Sequence, residues 1–160
     1  MADSRPQELM EKLHRGLVKS QEIFDSLSAE QWDRPVFEDI DSWSARELIA
    51  HFIFTEENLL SIAKDIISGG EGSPEGIDID AFNADEMHRM QTFSADQLRK
   101  MLTEVRQATI AWLDEQDDQI LDRMGRHPTL GITSVETVIF SIYAHQLLHM
   151  REVAPRLRKD

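Results

Sequence analysis

TSVETVIFSIYAHQLLHMREV, residues 133–153, decides how this chain is read. Val138, Ile142, His145, His149 and Val153 follow one another at intervals of four, three, four and four. That spacing puts all five on one inward stripe of a 3.6-residue helix. The stripe carries two histidines, and a helix with one apolar face needs partners to bury it.

Working outward, the same period returns in three other segments. Pro6 to Leu27 repeats Leu9, Leu13, Leu17, Phe24 and Leu27, and Ser44 to Ser68 repeats Leu48, Phe52, Leu59, Ile62 and Ile66. Ser94 to Glu115 carries Leu98, Met101, Leu102, Val105, Trp112 and Leu113, then ends in the acidic cluster Asp114 to Asp118. Capping boxes mark the starts: Ser28 with Gln31, Ser44 with Glu47, Ser94 with Gln97, and Thr133 with Glu136. In each, a hydroxyl caps the first turn and a Glu or Gln three residues later reaches back. Arg34-Pro35 closes the short turn Ser28 to Trp32, because proline disfavours the helical conformation in the residue before it. Gly69-Gly70 ends the second long helix.

The stretch Glu71 to Phe93 reads as a long connection, with a loose helical turn or two over Asp80 to Met90. Gln119 to Ile132, broken by Gly125, Pro128 and Gly131, reads as a loop over one end. Apart from a brief trace in Gly76 to Asp80, no period-two alternation persists, so no sheet is expected. The predicted fold is all-α: an antiparallel four-helix bundle, one domain over residues 1–160, with the long connection between helices two and three.

Seventeen Lys and Arg stand against 30 Asp and Glu, a formal charge of -13. Such a surface repels phosphate backbones and anionic lipid heads, so neither nucleic acid nor membrane is the expected partner. There is no cysteine, which excludes disulfides, thiolate metal sites and an intrinsic cysteine nucleophile. No run approaches the ~18 apolar residues of a membrane span, and Met1 to Gln7 lacks the look of a leader. A cytoplasmic location is the expectation. Ile53, Phe54, Ile139, Phe140 and Tyr143 lie off the main stripes and suggest a homodimer surface, or simply a wide apolar arc.

Histidines four apart on one helical face come close enough to share a metal ion. Buried without partners, their ring nitrogens would cost about 1 to 3 kcal/mol each. His51, on a helix expected beside the last, offers a third ligand. The plainer alternative keeps His145 and His149 at the core edge, bonded to carbonyls, water or a carboxylate such as Glu152. His14 and His88 lie among charged residues and are expected in solvent, as is His127 in its Gly/Pro loop, unless that loop covers the bundle mouth and makes His127 a substitute ligand. The residues between the pair, Gln146, Leu147 and Leu148, supply neither the Glu of a zinc-protease helix nor that of a di-iron bundle, so a mononuclear site is favoured.

Trp43-Ser44-Ala45-Arg46-Glu47-Leu48-Ile49-Ala50-His51-Phe52 resembles the start of helix two in the DinB superfamily of metal-binding four-helix bundles. Tyr143-Ala144-His145-Gln146-Leu147-Leu148-His149 resembles that family's H-x-x-x-H in helix four, and the polar segment near Phe82-Asn83 is similar to its central connection. The chain departs from many members at Glu152, where Gln is common, and at Ala144, where a further His is frequent. The resemblance implies one divalent ion, commonly nickel, zinc or iron, on His51, His145 and His149, and often a homodimer. It also implies a thiol transferase or related hydrolase, in which a low-molecular-weight thiol brought from outside, or water, attacks a small electrophile. Asn83, Arg89 and Arg126 are candidates to orient an anionic substrate. The alternatives are a metal-binding bundle without turnover, in sequestration or interaction, and a metal-free helical adaptor.

Overall fold

The computed structural model describes residues 4–36 and 43–157. Six helices follow in order: α1 (Arg5–Asp25), α2 (Ala29–Asp33), α3 (Ala45–Ile67), α4 (Ile79–Met90), α5 (Ala95–Asp114) and α6 (Val135–Leu157). A 3-10 turn (Ile120–Asp122) and two strands, β1 (Met124–His127) and β2 (Gly131–Ser134), lie between α5 and α6. The long helices α1, α3, α5 and α6 form the bundle.

Three of the expected capping boxes close as read, at Ser28, Ser44 and Ser94. At the fourth, the cap is Ser134 and not Thr133: Ser134 Oγ accepts from the Thr137 N–H at 3.2 Å. The shift has a local cause, since β2 holds the backbone extended through Ser134 and the helix opens at Val135. A further box, Ser4 with Gln7, starts α1.

α1 packs on α5 and α6, and α3 packs on the same two, so α1 and α3 lie on one diagonal of the bundle. Arg5 at the head of α1 bonds Asp118 just past the end of α5 and Glu136 at the head of α6. α1 therefore runs antiparallel to α5 and parallel to α6. Arg46 at the head of α3 reaches the Phe93 carbonyl before α5, whereas Arg156 near the end of α6 reaches the Val36 carbonyl before α3. So α3 is parallel to α5 and antiparallel to α6. The long connection makes this possible: α4 carries the chain back along the bundle before α5 begins, which a short turn could not do.

Apolar stripes from the four helices form two buried clusters, one around Phe24, Leu48, Phe52, Leu98 and Val153, the other around Leu13, Ile62, Leu113, Val138 and Ile142. Between them lies a polar knot. The Arg106 guanidinium pairs with Glu56 at 2.9 Å, and both side chains are 1% exposed. Arg106 also donates to the Leu13 carbonyl and, at 2.6 Å, to Gln146 Oε1. Gln146 in turn donates to Ser20 Oγ at 2.8 Å, while the Thr109 hydroxyl donates to Glu56 at 2.7 Å. A buried ion pair survives only when its remaining donors and acceptors are met, and here meeting them takes a group from every bundle helix. Because Gln146 is one of those groups, the knot fixes the rotation of α6 and with it the direction of His145 and His149.

The expectation of no sheet is corrected by the hairpin. β1 and β2 pair antiparallel with Gly125 opposite Thr133 and His127 opposite Gly131. Strands of four residues that include glycines carry too little alternation to register as a period. The hairpin is docked by its neighbours: Ser73 N–H donates to the Arg126 carbonyl and Arg126 N–H to the Glu71 carbonyl, each at 2.8 Å. Gly72 at the centre of this clamp has φ +89, and a Cβ there would lie 2.6 Å from the Arg126 carbonyl oxygen. Only glycine fits both demands.

α4 is a full helix rather than a loose turn or two, begun by Asp78, whose side chain accepts from Ala81 N–H. Of the residues suggested for a dimer surface, Ile53, Phe54 and Ile139 are buried inside the bundle and Phe140 is exposed.

Candidate metal centre and its cavity

The antiparallel packing of α3 against α6 brings His51 opposite the pair His145 and His149. His51 Nε2 lies 2.9 Å from His145 Nε2, and His149 Nε2 lies 3.0 Å from the same atom. The ligand atoms of all three fall within 4.8 Å of one another, and no other His or carboxylate joins the group among the described residues. Trp43 and Phe54 flank the His51 ring, with centroids at 4.7 and 5.1 Å.

Burial pushes the His51 ring down to about 2, helped by the neighbouring His145 and His149. His145 is pushed down to about 4, again by burial first and His149 second. His149 is lowered by burial against the opposing pull of Glu152. All three rings are thus neutral at pH 7, the form that offers a lone pair.

The donor set fits a metal ion. Two nitrogens each about 2.1 Å from one ion stand about 3.0 Å apart at a right angle and about 3.4 Å apart at the tetrahedral angle, and the two separations seen lie at or just below the lower figure. Three lone pairs converging on one point repel unless a cation or protons lie among them.

The triad forms part of the wall of a cavity of about 810 Å³. α3 adds Thr55, Asn58 and Leu59 to it, α4 adds Ile79, Phe82 and Asn83, and α6 adds Ser141, Leu148 and Glu152. The hairpin adds residues 127–130.

Of the other sequence candidates, Asn83 lines the cavity. Arg89 does not; it pairs with Glu57 at 2.8 Å and Glu86 at 2.6 Å. Arg126 is also absent from the wall and donates to the Ser73 carbonyl at 3.2 Å. His14 and His88 are exposed, as expected. His127 is a correction: it is 7% exposed, not solvated. Alternation along β1 explains the exchange, because Met124 and Arg126 point outward while Gly125 and His127 point inward. His127 faces the cavity without entering the metal-ligand group. The signal that could have found it is the pattern M-G-R-H before a Pro-containing turn, readable only once the hairpin is known.

The DinB superfamily profile matches residues 12–153. The chain belongs to the DinB superfamily. Among solved structures, this DinB chain is similar to YfiT from Bacillus subtilis, described as a probable metal-dependent hydrolase with an unusual four-helix bundle topology. The TM-score is 0.77 at 20% identity, covering 96% of this chain and 86% of YfiT. It is also similar to the mycothiol-dependent maleylpyruvate isomerase (TM-score 0.77, 13% identity, 92% of this chain), of which it spans 60%. The colibactin self-resistance protein ClbS, in complex with a double-stranded DNA, shares the fold as well: TM-score 0.73, 15% identity, 98% of this chain and 95% of that one. The DinB fold by itself therefore does not exclude nucleic acid, and the expectation against it rests on charge alone. A search of curated protein sequences gave no match.

Proposed function

We propose that this DinB chain is a metal-dependent enzyme that holds one divalent ion, nickel, zinc or iron, on His51, His145 and His149 and turns over a small electrophile in the adjoining cavity. The observation that carries the reading is the convergence of three neutral Nε2 atoms on the wall of a cavity of about 810 Å³. When bound, such an ion lowers the pKa of a coordinated thiol or water and so makes a nucleophile near neutral pH. With no cysteine in the chain, any thiol comes from outside, and a cytoplasmic setting, where small thiols stay reduced, suits the proposal. The three rings bind without having to shed protons, the buried Phe54 packs against the His51 ring, and the cavity, lined by Trp43 and the triad, admits substrate. Asn83, on the cavity wall, would hydrogen-bond that substrate.

Sequestration without turnover needs ligands but no cavity of this size beside them, so the cavity favours the enzyme. A homodimer belongs to the same proposal, supported by apolar side chains left on the outer face of the hairpin.

The test is metal content by plasma mass spectrometry on untagged protein. Wild type is expected to carry about one ion per chain, and His51→Ala, His145→Ala and His149→Ala to lose it while keeping their helical circular dichroism. Equal metal in all four proteins, or none in wild type, would end the proposal. A positive result leads to thiol-dependent turnover assays over a panel of electrophiles.

A further inference from the structure

His127 is fastened at one ring nitrogen and free at the other. Its Nδ1 accepts from the backbone N–H groups of Thr129 at 3.1 Å and Leu130 at 3.2 Å, which secures the turn between β1 and β2. A neutral imidazole that accepts at Nδ1 carries its proton on Nε2. That Nε2–H is buried and has no partner among the described residues, and the residue lines the same cavity as the three-histidine group. Burial lowers its pKa, so the ring stays a neutral, one-proton donor. A buried donor left unmet costs about 1 to 3 kcal/mol, a cost that a ligand oxygen would remove.

The remaining wall narrows the class of ligand. Among the described residues, no Lys or Arg lines the cavity, and Glu152 is its one carboxylate. The arginines that sequence reading offered to an anionic substrate are held elsewhere by Glu57, Glu86 and the Ser73 carbonyl. Leu59, Ile79, Phe82, Leu130 and Leu148 give the wall an apolar lining.

We infer that His127 donates its Nε2–H to a carbonyl or other neutral acceptor oxygen of an uncharged, largely apolar ligand bound in this cavity. The inference rests on reading the cavity as the substrate site, and not on a metal being bound.

Acetophenone, ethylbenzene and benzoate serve as probes of nearly equal size: a neutral acceptor, no acceptor, and an anion. In wild type, both metal-free and zinc-loaded, acetophenone is expected to move the His127 Nε2 nuclear magnetic resonance signal. It should bind about three- to tenfold more tightly than ethylbenzene, the worth of one neutral hydrogen bond. In the metal-free protein it should also outbind benzoate. His127→Asn keeps an acceptor for the turn amides but has nothing at the Nε2 position, so it should lose the preference while the Thr129 and Leu130 amide signals stay in place. His127→Gln, whose amide reaches that position, should restore part of it. Equal binding of acetophenone and ethylbenzene, no acetophenone binding, a preference unchanged in His127→Asn, or benzoate favoured in the metal-free protein overturns the inference. So does loss of zinc from His127→Asn, which would make the residue a ligand. Wild type that takes up no zinc removes the metal reading alone, because the metal-free comparison stands apart from it.

Discussion

At the scale of the residue, the site is a matter of which protons are absent. His51, His145, His149 and His127 all titrate below the ordinary 6.5 because they are buried. Below pH 6.5 the unfolded chain takes up protons that these rings refuse, so metal-free stability is full above that pH. It falls as pH drops towards about 4 for His145 and about 2 for His51. Each ring that stays neutral contributes a slope of about 1.4 kcal/mol per pH unit. The urea midpoint of metal-free protein should therefore fall between about pH 7.5 and about pH 5.5, and fall less in His51→Gln. An equal fall in both proteins would remove His51 as a source. The triad was legible in the sequence because an i, i+4 pair on an apolar stripe has one facing direction and His51 lies on a helix expected beside it, and the resemblance of residues 43–52 to a known helix start supported His51. Arg126 and His127 were not legible in their roles. They are neighbours in the chain, and only strand register decides which of the two looks inward.

At the scale of the element, what could be read and what could not divides along periodicity and local chemistry. The four bundle helices announced themselves by long apolar stripes, and Ser28, Ser44 and Ser94 by their capping partners. α4 did not, since Met90 is the only one of its residues that is buried, and a helix with so little apolar face shows no stripe. The sequence reading gave an antiparallel bundle, but that α1 runs parallel to α6 and α3 to α5 was hidden, because it depends on where the long connection returns and not on any residue within a helix. The hairpin owes its position to a backbone clamp, and the clamp tests it. Gly72→Ala would put a methyl group against the backbone of β1 at a residue with positive φ. The expected cost is about 1 to 3 kcal/mol of hairpin docking, with the bundle intact. Amide hydrogen exchange would show it: the Ser73 and Arg126 amides, which make the clamp bonds, should exchange about five- to 150-fold faster, while amides of α3 and α6 keep their protection. Uniform loss of protection through α3 and α6 would mean that the hairpin and bundle unfold as one unit.

At the scale of the whole molecule, charge and apolar surface pull in opposite directions. A chain of formal charge -13 repels its own copies, yet Met124 at 59% and Ile132 at 62% exposure stand on the outer face of the hairpin. The buried Ile53, Phe54 and Ile139 belong to the bundle's own core, so a homodimer is expected to draw on exposed apolar residues, of which Met124 and Ile132 form one patch on this outer face. Its two halves would attract through apolar contact and repel through charge, and salt weakens only the second. Light scattering at micromolar protein is expected to give twice the chain mass, with the dimer favoured further as sodium chloride is raised. Met124→Lys with Ile132→Lys should return the monomer mass at every salt concentration. Because both side chains point away from the cavity, that double variant should keep its metal content, which separates assembly from the site. A monomer mass for wild type at low and high salt alike would dispose of the dimer and leave the three-histidine centre, formed within one chain, untouched.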